Sequence, residues 1–295
     1  MTGTISDAQP AGTAGAPSDQ AAGSALLAVE DLVVEFRAKR FGRTFRALHG
    51  VSLHVGAGET LGLVGESGSG KSTIGRAVLG LAPVTEGRIR FDGQDIAAAN
   101  RSTRKALSRD LQVVFQDPYS SLNPARTVGD TLSEPLLVQG IDGAEARSRI
   151  STLLDRVHLP QDAMHRMPRE FSGGQRQRIA IARALALRPK LIVCDEPVSA
   201  LDLSTQARVL DLFLELQETT GVSYLFVSHD LDVVRVVSHR VAVLYRGELV
   251  EQGDAEQVTR DPRHEYTRRL LLASPVPDPD RQAERRAQRR EAAAR

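Results

Sequence analysis

The sequence has little cysteine, little lysine and no long apolar run, and each of these absences excludes a class of protein. Cys194 is the single cysteine among 295 residues, so the chain cannot form an internal disulfide, and one thiol cannot build a zinc or iron–sulfur site. The apolar runs, such as 191–194, have the length of strands, which excludes a transmembrane helix. No positive charge precedes the short apolar stretch 25–29, so a secretory signal is not expected.

The charge balance also excludes a strong overall field. With 38 basic and 37 acidic residues the formal net charge is +1, which favours neither nucleic acid nor a membrane surface. The 41% of hydrophobic and 25% of charged residues are typical of a globular protein. These features predict a soluble cytosolic protein whose membrane association depends on a partner. Only four of the basic residues are lysines, which draws attention to Lys71.

The order of elements along the chain predicts an α/β fold. Short strands are predicted at 32–36, 51–55, 60–64, 191–194, 223–227, 241–245 and 248–250, and longer helices at 71–79, 174–187 and 205–219. Strands that alternate with helices favour a parallel sheet covered on both faces. Residues 118–170 show helical patches with little strand signal, which predicts an inserted helical subdomain.

Both ends of the chain differ from the middle. Residues 1–24 are rich in Ala, Gly, Ser, Thr and Pro without an apolar period, which predicts a flexible tail. Residues 279–295 form an Arg-rich C-terminal tail. We interpret this tail as a solvated, partly helical end, with contact to anionic lipid as the alternative.

A glycine-rich loop between an apolar strand and a helix fits the P-loop pattern. The loop and the start of the helix read Gly65-Glu66-Ser67-Gly68-Ser69-Gly70-Lys71-Ser72-Thr73. The glycines let backbone N–H groups surround an anion, and the helix N-terminus adds partial positive charge. Lys71 would meet the outer phosphates of a nucleotide and the Ser72 hydroxyl would bind Mg²⁺. We predict that this segment binds ATP.

Two adjacent carboxylates end the apolar strand at 191–194. Ligands of an open parallel sheet bind at the carboxyl ends of its strands, so Asp195 would reach Mg²⁺ there. Glu196, one residue further on, would act as general base on the attacking water. Cys194 lies inside the apolar run and is interpreted as a small core residue.

A second glycine-rich helix start identifies a family. The segment Phe171-Ser172-Gly173-Gly174-Gln175-Arg176 resembles the signature of the ABC ATPases, with Phe at its first position. Residues 172–175 would form another anion site at a helix N-terminus. In the family, two ATPase subunits pack head to tail, and each ATP lies between the P-loop of one and the signature of the other.

The resemblance covers about residues 26–278 and implies both a fold and further site residues. The implied fold is a P-loop NTPase core of the RecA-like type, with an N-terminal antiparallel β subdomain and an inserted α-helical subdomain. Phe36 matches the aromatic residue that stacks on adenine, Gln116 matches the glutamine that touches Mg²⁺, and His229 matches the histidine at the γ-phosphate. The segment Ser199-Ala200-Leu201-Asp202 matches the loop that crosses the dimer interface.

A narrower resemblance concerns the cargo. The segments at 115–124, 194–202 and 264–271 resemble those of oligopeptide/dipeptide importer ATPases. This similarity implies a peripheral ATPase at the cytoplasmic face of the membrane, with a second ATPase subunit, two permease subunits and, indirectly, an external solute-binding protein. Three alternatives stay open: an importer ATPase for another small solute such as a metal chelate or sugar, a soluble ABC ATPase acting on nucleic acid or ribosomes, and a regulatory module that binds ATP without hydrolysing it.

Overall fold

A computed structural model describes residues 25–37, 44–117 and 121–273. The strands are β1 (Leu27–Arg37), β2 (Thr44–Val55), β3 (Thr60–Val64), β4 (Glu86–Phe91), β5 (Gln94–Asp95), β6 (Leu111–Val114), β7 (Leu191–Asp195), β8 (Ser223–Val227), β9 (Arg240–Tyr245) and β10 (Glu248–Asp254). The helices are α1 (Lys71–Val78), α2 (Arg101–Leu107), α3 (Val128–Val138), α4 (Gly143–Arg156), α5 (Gly173–Leu185), α6 (Leu203–Thr220), α7 (Leu231–Val237), α8 (Ala255–Arg260) and α9 (Glu265–Ala273). The predicted tails at 1–24 and 279–295 lie outside the described residues.

Six strands form the larger sheet, in the order β10-β9-β3-β8-β7-β6. The pairs from β9 to β6 are parallel, and β10 runs antiparallel to β9 as its hairpin partner. The smaller sheet is antiparallel, with the order β2-β1-β4-β5. The predicted mainly parallel sheet with an N-terminal antiparallel β unit is therefore confirmed.

Alternate residues of the central strands enter different hydrophobic clusters, because successive side chains of a strand point to opposite faces. In β7, Leu191 and Val193 lie in the cluster between the two sheets, whereas Ile192 and Cys194 lie in the cluster that includes α5 and α6. Both faces of β7 are therefore buried and apolar. This arrangement explains why the strand is a continuous apolar run in the sequence.

The segment between β6 and α5 is helical where the structure describes it. Helices α3 and α4 pack against each other and against α5, with Leu132, Ile150 and Ile179 in one shared cluster. Two 3₁₀ turns, Gln161–His165 and Pro168–Glu170, lead into α5. In the part of the chain covered by 25–37, 44–117 and 121–273, every helix is too short or too polar to cross a bilayer.

Several elements differ from the sequence prediction at their ends. Strand β10 was expected to stop at Val250, but residues 251–254 continue the pairing with β9 as a polar edge strand. Helix α6 begins at Leu203 because the Asp202 carboxylate accepts the N–H of Thr205 at 3.0 Å and caps the first turn. The sequence analysis does not predict strands β4, β5 and β6 or helices α2, α8 and α9.

Candidate active site

The candidate residues follow four neighbouring strands of the larger sheet. The loop 65–70 follows β3, Asp195 ends β7, His229 comes shortly after β8 and Gln116 shortly after β6. Since β3, β8, β7 and β6 are adjacent and parallel, their carboxyl ends meet at one edge of the sheet. The fold thereby collects at one place residues that are far apart in the sequence.

The loop at the end of β3 is a tight cradle built on glycine. Gly65 has φ 153°, and a Cβ there would lie 2.1 Å from the carbonyl oxygen of Leu244, so a larger residue would displace the end of β9. The N–H of Ser69 donates to the Glu66 carbonyl at 3.1 Å, and the Ser69 carbonyl accepts the N–H of Gly247 at 2.9 Å. Glu66, Ser67 and Gly68 are exposed at the tip. The loop therefore packs against the end of β9 at Gly65 and Ser69, and only its tip is exposed.

Helix α1 starts directly after this loop without a side-chain cap. Its N-cap is Gly70, which has φ 108°, and the N–H of Thr73 donates to the Gly70 carbonyl at 3.0 Å. The first N–H groups of a helix have no partner within the helix, and a side chain usually accepts some of them. An anion can take that place here, since the helix dipole favours negative charge at its N-terminus.

Lys71 lies almost entirely inside the cradle, with 4% of its surface exposed. Its Nζ donates to the carbonyl oxygens of Gly65 at 2.7 Å and of Glu66 at 2.9 Å. Burial lowers the pKa of Lys71, while the charges of Glu196 and Asp195 act in the opposite direction. An ammonium group has three donors, so one remains for a phosphate oxygen.

Ser72 and Asp195 place two oxygen atoms that can ligate a metal ion side by side. The Ser72 hydroxyl donates to Oδ1 of Asp195 at 2.7 Å, which joins the first turn of α1 to the end of β7. Hydroxyl and carboxylate oxygens are the ligands that Mg²⁺ prefers in proteins, usually together with phosphate oxygens of a substrate. The donor set therefore fits this ion. Gln116 lies exposed beyond the end of β6, the strand next to β7.

Glu196 and His229 meet across the ends of β7 and β8. Oε2 of Glu196 lies 3.2 Å from Nδ1 of His229, and the glutamate side chain is 18% exposed against 55% for the histidine. The backbone of Glu196 has φ 50°, an uncommon left-handed conformation for a residue with a side chain. Its N–H donates to the carbonyl of Val227 at 3.0 Å, which fixes the turn. Such a strained backbone position is common at functional sites.

The candidate signature forms a reciprocal cap at the start of α5. The Ser172 hydroxyl accepts the N–H of Gln175 at 3.3 Å, and Oε1 of Gln175 accepts the N–H of Ser172 at 3.0 Å. Gly174 is buried against Thr205 of α6, whereas Ser172 is exposed. Gly173 is the first residue of the helix. The segment is thus preformed, with an exposed hydroxyl at its N-terminus.

The loop 199–202 connects Glu196 to α6. The Ser199 hydroxyl donates to the Glu196 carbonyl at 3.1 Å, and the N–H of Leu201 donates to the Val198 carbonyl at 3.1 Å. Ala200 is exposed in this turn. Hydrogen bonds from Thr205 and Ser204 hold the pKa of the Asp202 carboxyl well below its usual range. Asp202 therefore stays charged as the cap of α6.

Phe36 lies on the exposed part of the smaller sheet. It is 40% exposed and pairs across the strands with Phe45, which is 65% exposed. Residues directly opposite in an antiparallel pair lie on the same face. Strand β2 continues from Phe45 to the cradle, where a Cβ on Gly70 would lie 3.1 Å from the Ala47 carbonyl oxygen.

One contact at the cradle was missed by the sequence analysis. The hydroxyl of Tyr266 accepts the N–H of Glu66 at 3.0 Å, across 200 residues of sequence. The sequence of the segment 264–271 carries a family resemblance but no pattern typical of a nucleotide site. No local sequence pattern predicts a contact between residues so far apart in the chain.

Comparison with known proteins gives a family match in the region of the site. The profile of the ABC transporter family matches residues 48–199. The glutathione import ATP-binding protein GsiA of Escherichia coli O6:H1 is 51% identical over 270 residues, which cover 90% of this chain and 43% of that protein. GsiA of Salmonella paratyphi A is 50% identical with the same coverage. The chain thus spans less than half the length of these curated relatives.

Solved structures show the same fold. The cbiO1 protein of Clostridium perfringens, part of the ABC transporter complex cbiONQ, has a TM-score of 0.72 and 28% identity, covering 81% of this chain and 92% of that one. The ATP-binding cassette MJ0796, solved as a dimer in a post-hydrolysis state with ADP and Pi, has a TM-score of 0.70 and 30% identity. That match covers 78% of this chain and 98% of the cassette.

Proposed function

Because the chain belongs to the ABC transporter family, we propose that it binds ATP and hydrolyses it to drive transport through a membrane permease. One observation carries this proposal. A buried lysine at a helix N-terminus, a hydroxyl–carboxylate pair and a glutamate–histidine pair all lie at one edge of the sheet. This set matches the needs of phosphoryl transfer, in which the protein positions the reactants and stabilises charge.

The P-loop holds the phosphates in this proposal. The amides at the start of α1 donate to phosphate oxygens, and Lys71 turns its remaining donor towards the outer phosphates. Phe36 stacks on the adenine. Residues 65–70 form the wall of the cradle, and the backbone hydrogen bonds of Ser69 to Glu66 and Gly247 hold the loop, which lowers the ordering required when the nucleotide binds.

Ser72, Asp195 and Gln116 would hold Mg²⁺ beside the outer phosphates. The ion, when bound with the nucleotide, neutralises part of the phosphate charge that develops during transfer. Asp195 is fixed for this task because it ends β7 and accepts the Ser72 hydroxyl at 2.7 Å.

Glu196 acts as the general base and removes a proton from the attacking water. The sharp turn at its backbone and the contact with Nδ1 of His229 hold the carboxylate in place. His229, whose side chain is 55% exposed, contacts the γ-phosphate of the bound nucleotide in this proposal. The water oxygen then attacks phosphorus, and ADP leaves as the P–O bond breaks.

The signature of a second subunit completes the site. Ser172 and Gln175 are preformed at the N-terminus of α5, which favours an anion there. ATP that contacts both subunits favours the closed dimer, and hydrolysis removes that bridge. The loop 199–202 would cross the interface and connect the second subunit to Glu196.

The relatives support a peptide-like cargo. GsiA is named for glutathione import, and glutathione is a short peptide. We therefore propose an importer of short peptides, with this chain at the cytoplasmic face of the membrane. It would work beside a second ATPase subunit, identical or paralogous, and two permease subunits fed by an external solute-binding protein.

Purification of the intact complex tests this proposal. The tagged chain, extracted from its own membranes in mild detergent, should bring down a permease and should release phosphate from ATP. Cells without its gene should lose ATP-dependent uptake of labelled glutathione or of a dipeptide mixture. Isolation with ribosomes or DNA, and without a permease, would contradict the transport role. Loss of uptake for a sugar or a metal chelate alone would contradict the peptide cargo.

A further inference from the structure

The last described helix, α9, touches the phosphate cradle through one tyrosine. The hydroxyl oxygen of Tyr266 accepts the backbone N–H of Glu66 at 3.0 Å, and the side chain is buried, with 8% of its surface exposed. The ring packs on Tyr245 with centroids 4.2 Å apart. Burial raises the pKa of Tyr266, so the phenol keeps its proton.

This contact holds the backbone of Glu66, whose carbonyl oxygen also accepts a hydrogen bond from Lys71. Glu66 donates its N–H to Tyr266, and its carbonyl oxygen accepts Nζ of Lys71 at 2.9 Å. Both backbone groups of Glu66 are therefore held, one from α9 and one from the lysine. A shift of this backbone would move one of the two carbonyl acceptors of Lys71, the other being that of Gly65, and with it the charge that we propose faces the phosphates.

A buried carboxylate holds the start of α9. Glu251 on β10 accepts the N–H of Arg263 at 2.8 Å and the N–H of His264 at 3.0 Å, and it is 9% exposed. Gln257 donates to the same carboxylate at 3.4 Å. Since β10 pairs with β9, and the Leu244 carbonyl of β9 abuts Gly65, the helix and the loop rest on the same hairpin.

A tyrosine in a core can be there for its ring alone. A phenylalanine at position 266 would fill the same space and keep the contact with Tyr245. It would, however, leave the Glu66 N–H without its acceptor. That change would remove the hydrogen bond that holds the backbone of Glu66 to α9, so the hydroxyl has a role that the ring does not have.

We propose that Tyr266 is a positioning residue of the nucleotide site, which sets the backbone of Glu66 and thereby the place of Lys71. The inference rests on the proposed function, because it concerns affinity for ATP. It gives the segment 264–271 a role in nucleotide binding. Tyr266 itself touches no phosphate and acts through the loop.

The test compares Tyr266→Phe with Tyr245→Phe, which removes the hydroxyl of the adjacent ring. Tyr266→Phe should lower the affinity for ATP and ADP about three- to tenfold, which is the worth of one hydrogen bond. The KM for ATP should rise in parallel, with kcat within about twofold. Exchange of the Glu66 amide proton should become faster. Tyr245→Phe should leave affinity, KM and amide exchange within about twofold of wild type.

A second variant approaches the contact from the other side. Glu251→Gln weakens the anchor of α9 without touching the ring or the loop, and it should lower nucleotide affinity in the same direction by a smaller factor. If wild type binds ATP while Tyr266→Phe binds it equally well, the positioning role is wrong and the proposed function stands. If wild type does not bind ATP, both are wrong.

Discussion

Nδ1 of His229 lies 3.2 Å from Oε2 of Glu196, although the two residues follow different strands, β8 and β7. The parallel pairing of β7 and β8 brings them together, because Asp195 lies opposite Val227 and both strands end at that pair. One carboxylate oxygen of Glu196 thus faces the histidine, and we propose that the carboxylate accepts the proton of the attacking water.

Glu196→Gln should keep ATP binding and nearly abolish turnover. The amide keeps the shape of the side chain but cannot accept the proton of the water, so phosphate release should fall at least about a hundredfold. With ATP and Mg²⁺ the variant should accumulate as a closed dimer, detectable by light scattering. Glu248→Gln, at an exposed position of β10, is the control. Phosphate release at the wild-type rate in Glu196→Gln would refute the role of general base.

Lys71→Ala should strongly weaken nucleotide binding. The substitution removes a charged hydrogen-bond donor. A hydrogen bond between charged groups contributes about 1.5–3 kcal/mol to binding, so the affinity for ATP should fall by one to two orders of magnitude. Isothermal titration with ATP measures the change. The matched control is Lys190→Ala, because Lys190 is half-exposed and pairs with Asp92 away from the loop. An unchanged affinity in Lys71→Ala would exclude the cradle as the phosphate site.

Phe36→Ala should weaken ATP binding through the base. Loss of stacking on a base costs about 1–3 kcal/mol, which corresponds to roughly five- to a hundredfold in affinity. Phe36→Tyr keeps the ring and should bind as wild type does. Inorganic triphosphate has no base, so its affinity should stay the same in all three proteins. If Phe36→Ala weakens triphosphate as much as ATP, the adenine assignment is wrong.

Gly174→Ala should destabilise the contact between α5 and α6. A Cβ at this position would lie 2.2 Å from Cγ2 of Thr205, and overpacking of this kind costs about 1–3 kcal/mol. The free energy of unfolding in guanidinium measures the effect. Gly143→Ala is the control, since its Cβ would meet nothing closer than Nη1 of Arg147 at 3.7 Å. Equal free energies of unfolding for the two variants would contradict this prediction, because they would show that the Thr205 side chain moves aside at little cost.

Glu251 should make the docking of α9 depend on pH. Burial acts to raise the pKa of Glu251, but the hydrogen bonds it accepts outweigh burial and lower it. A lowered pKa in the folded state gives stability above the unfolded value of about 4.3, and this stability is lost as the pH falls through the folded pKa. Wild type should therefore exceed Glu251→Gln in stability at pH 7, and the difference should shrink at acid pH. A difference that grows on acidification would contradict this sign.

The parts of the site that follow short local patterns could be predicted from the sequence. Lys71 follows an apolar strand and a glycine loop, and Asp195 ends an apolar run, so their placement depends on a few neighbouring residues. His229 carries no such local pattern, and only the family resemblance singled it out. Tyr266 could not be found, because its partner is 200 residues away and a buried tyrosine looks like any core residue.

The fold shows the same division. Strands β3, β7 and β8 are buried on both faces and are visible as apolar runs, which made the parallel sheet predictable. The end of β10 and the short strand β5 are polar, and pairing with a neighbouring strand defines them. Their strand character is therefore a property of the folded chain and not of the local sequence.

Cys194 offers a practical consequence of the buried sheet. Its thiol is fully buried on β7, next to Asp195, and burial raises its pKa well above the usual range, so it reacts poorly with thiol reagents in the folded protein. The wild-type chain is therefore already a low-background template for site-specific labelling, and a fluorophore or spin label can be attached through a cysteine introduced at the surface. The slow rate at which Cys194 itself is labelled would measure how often β7, the strand that ends at Asp195, becomes exposed by local unfolding.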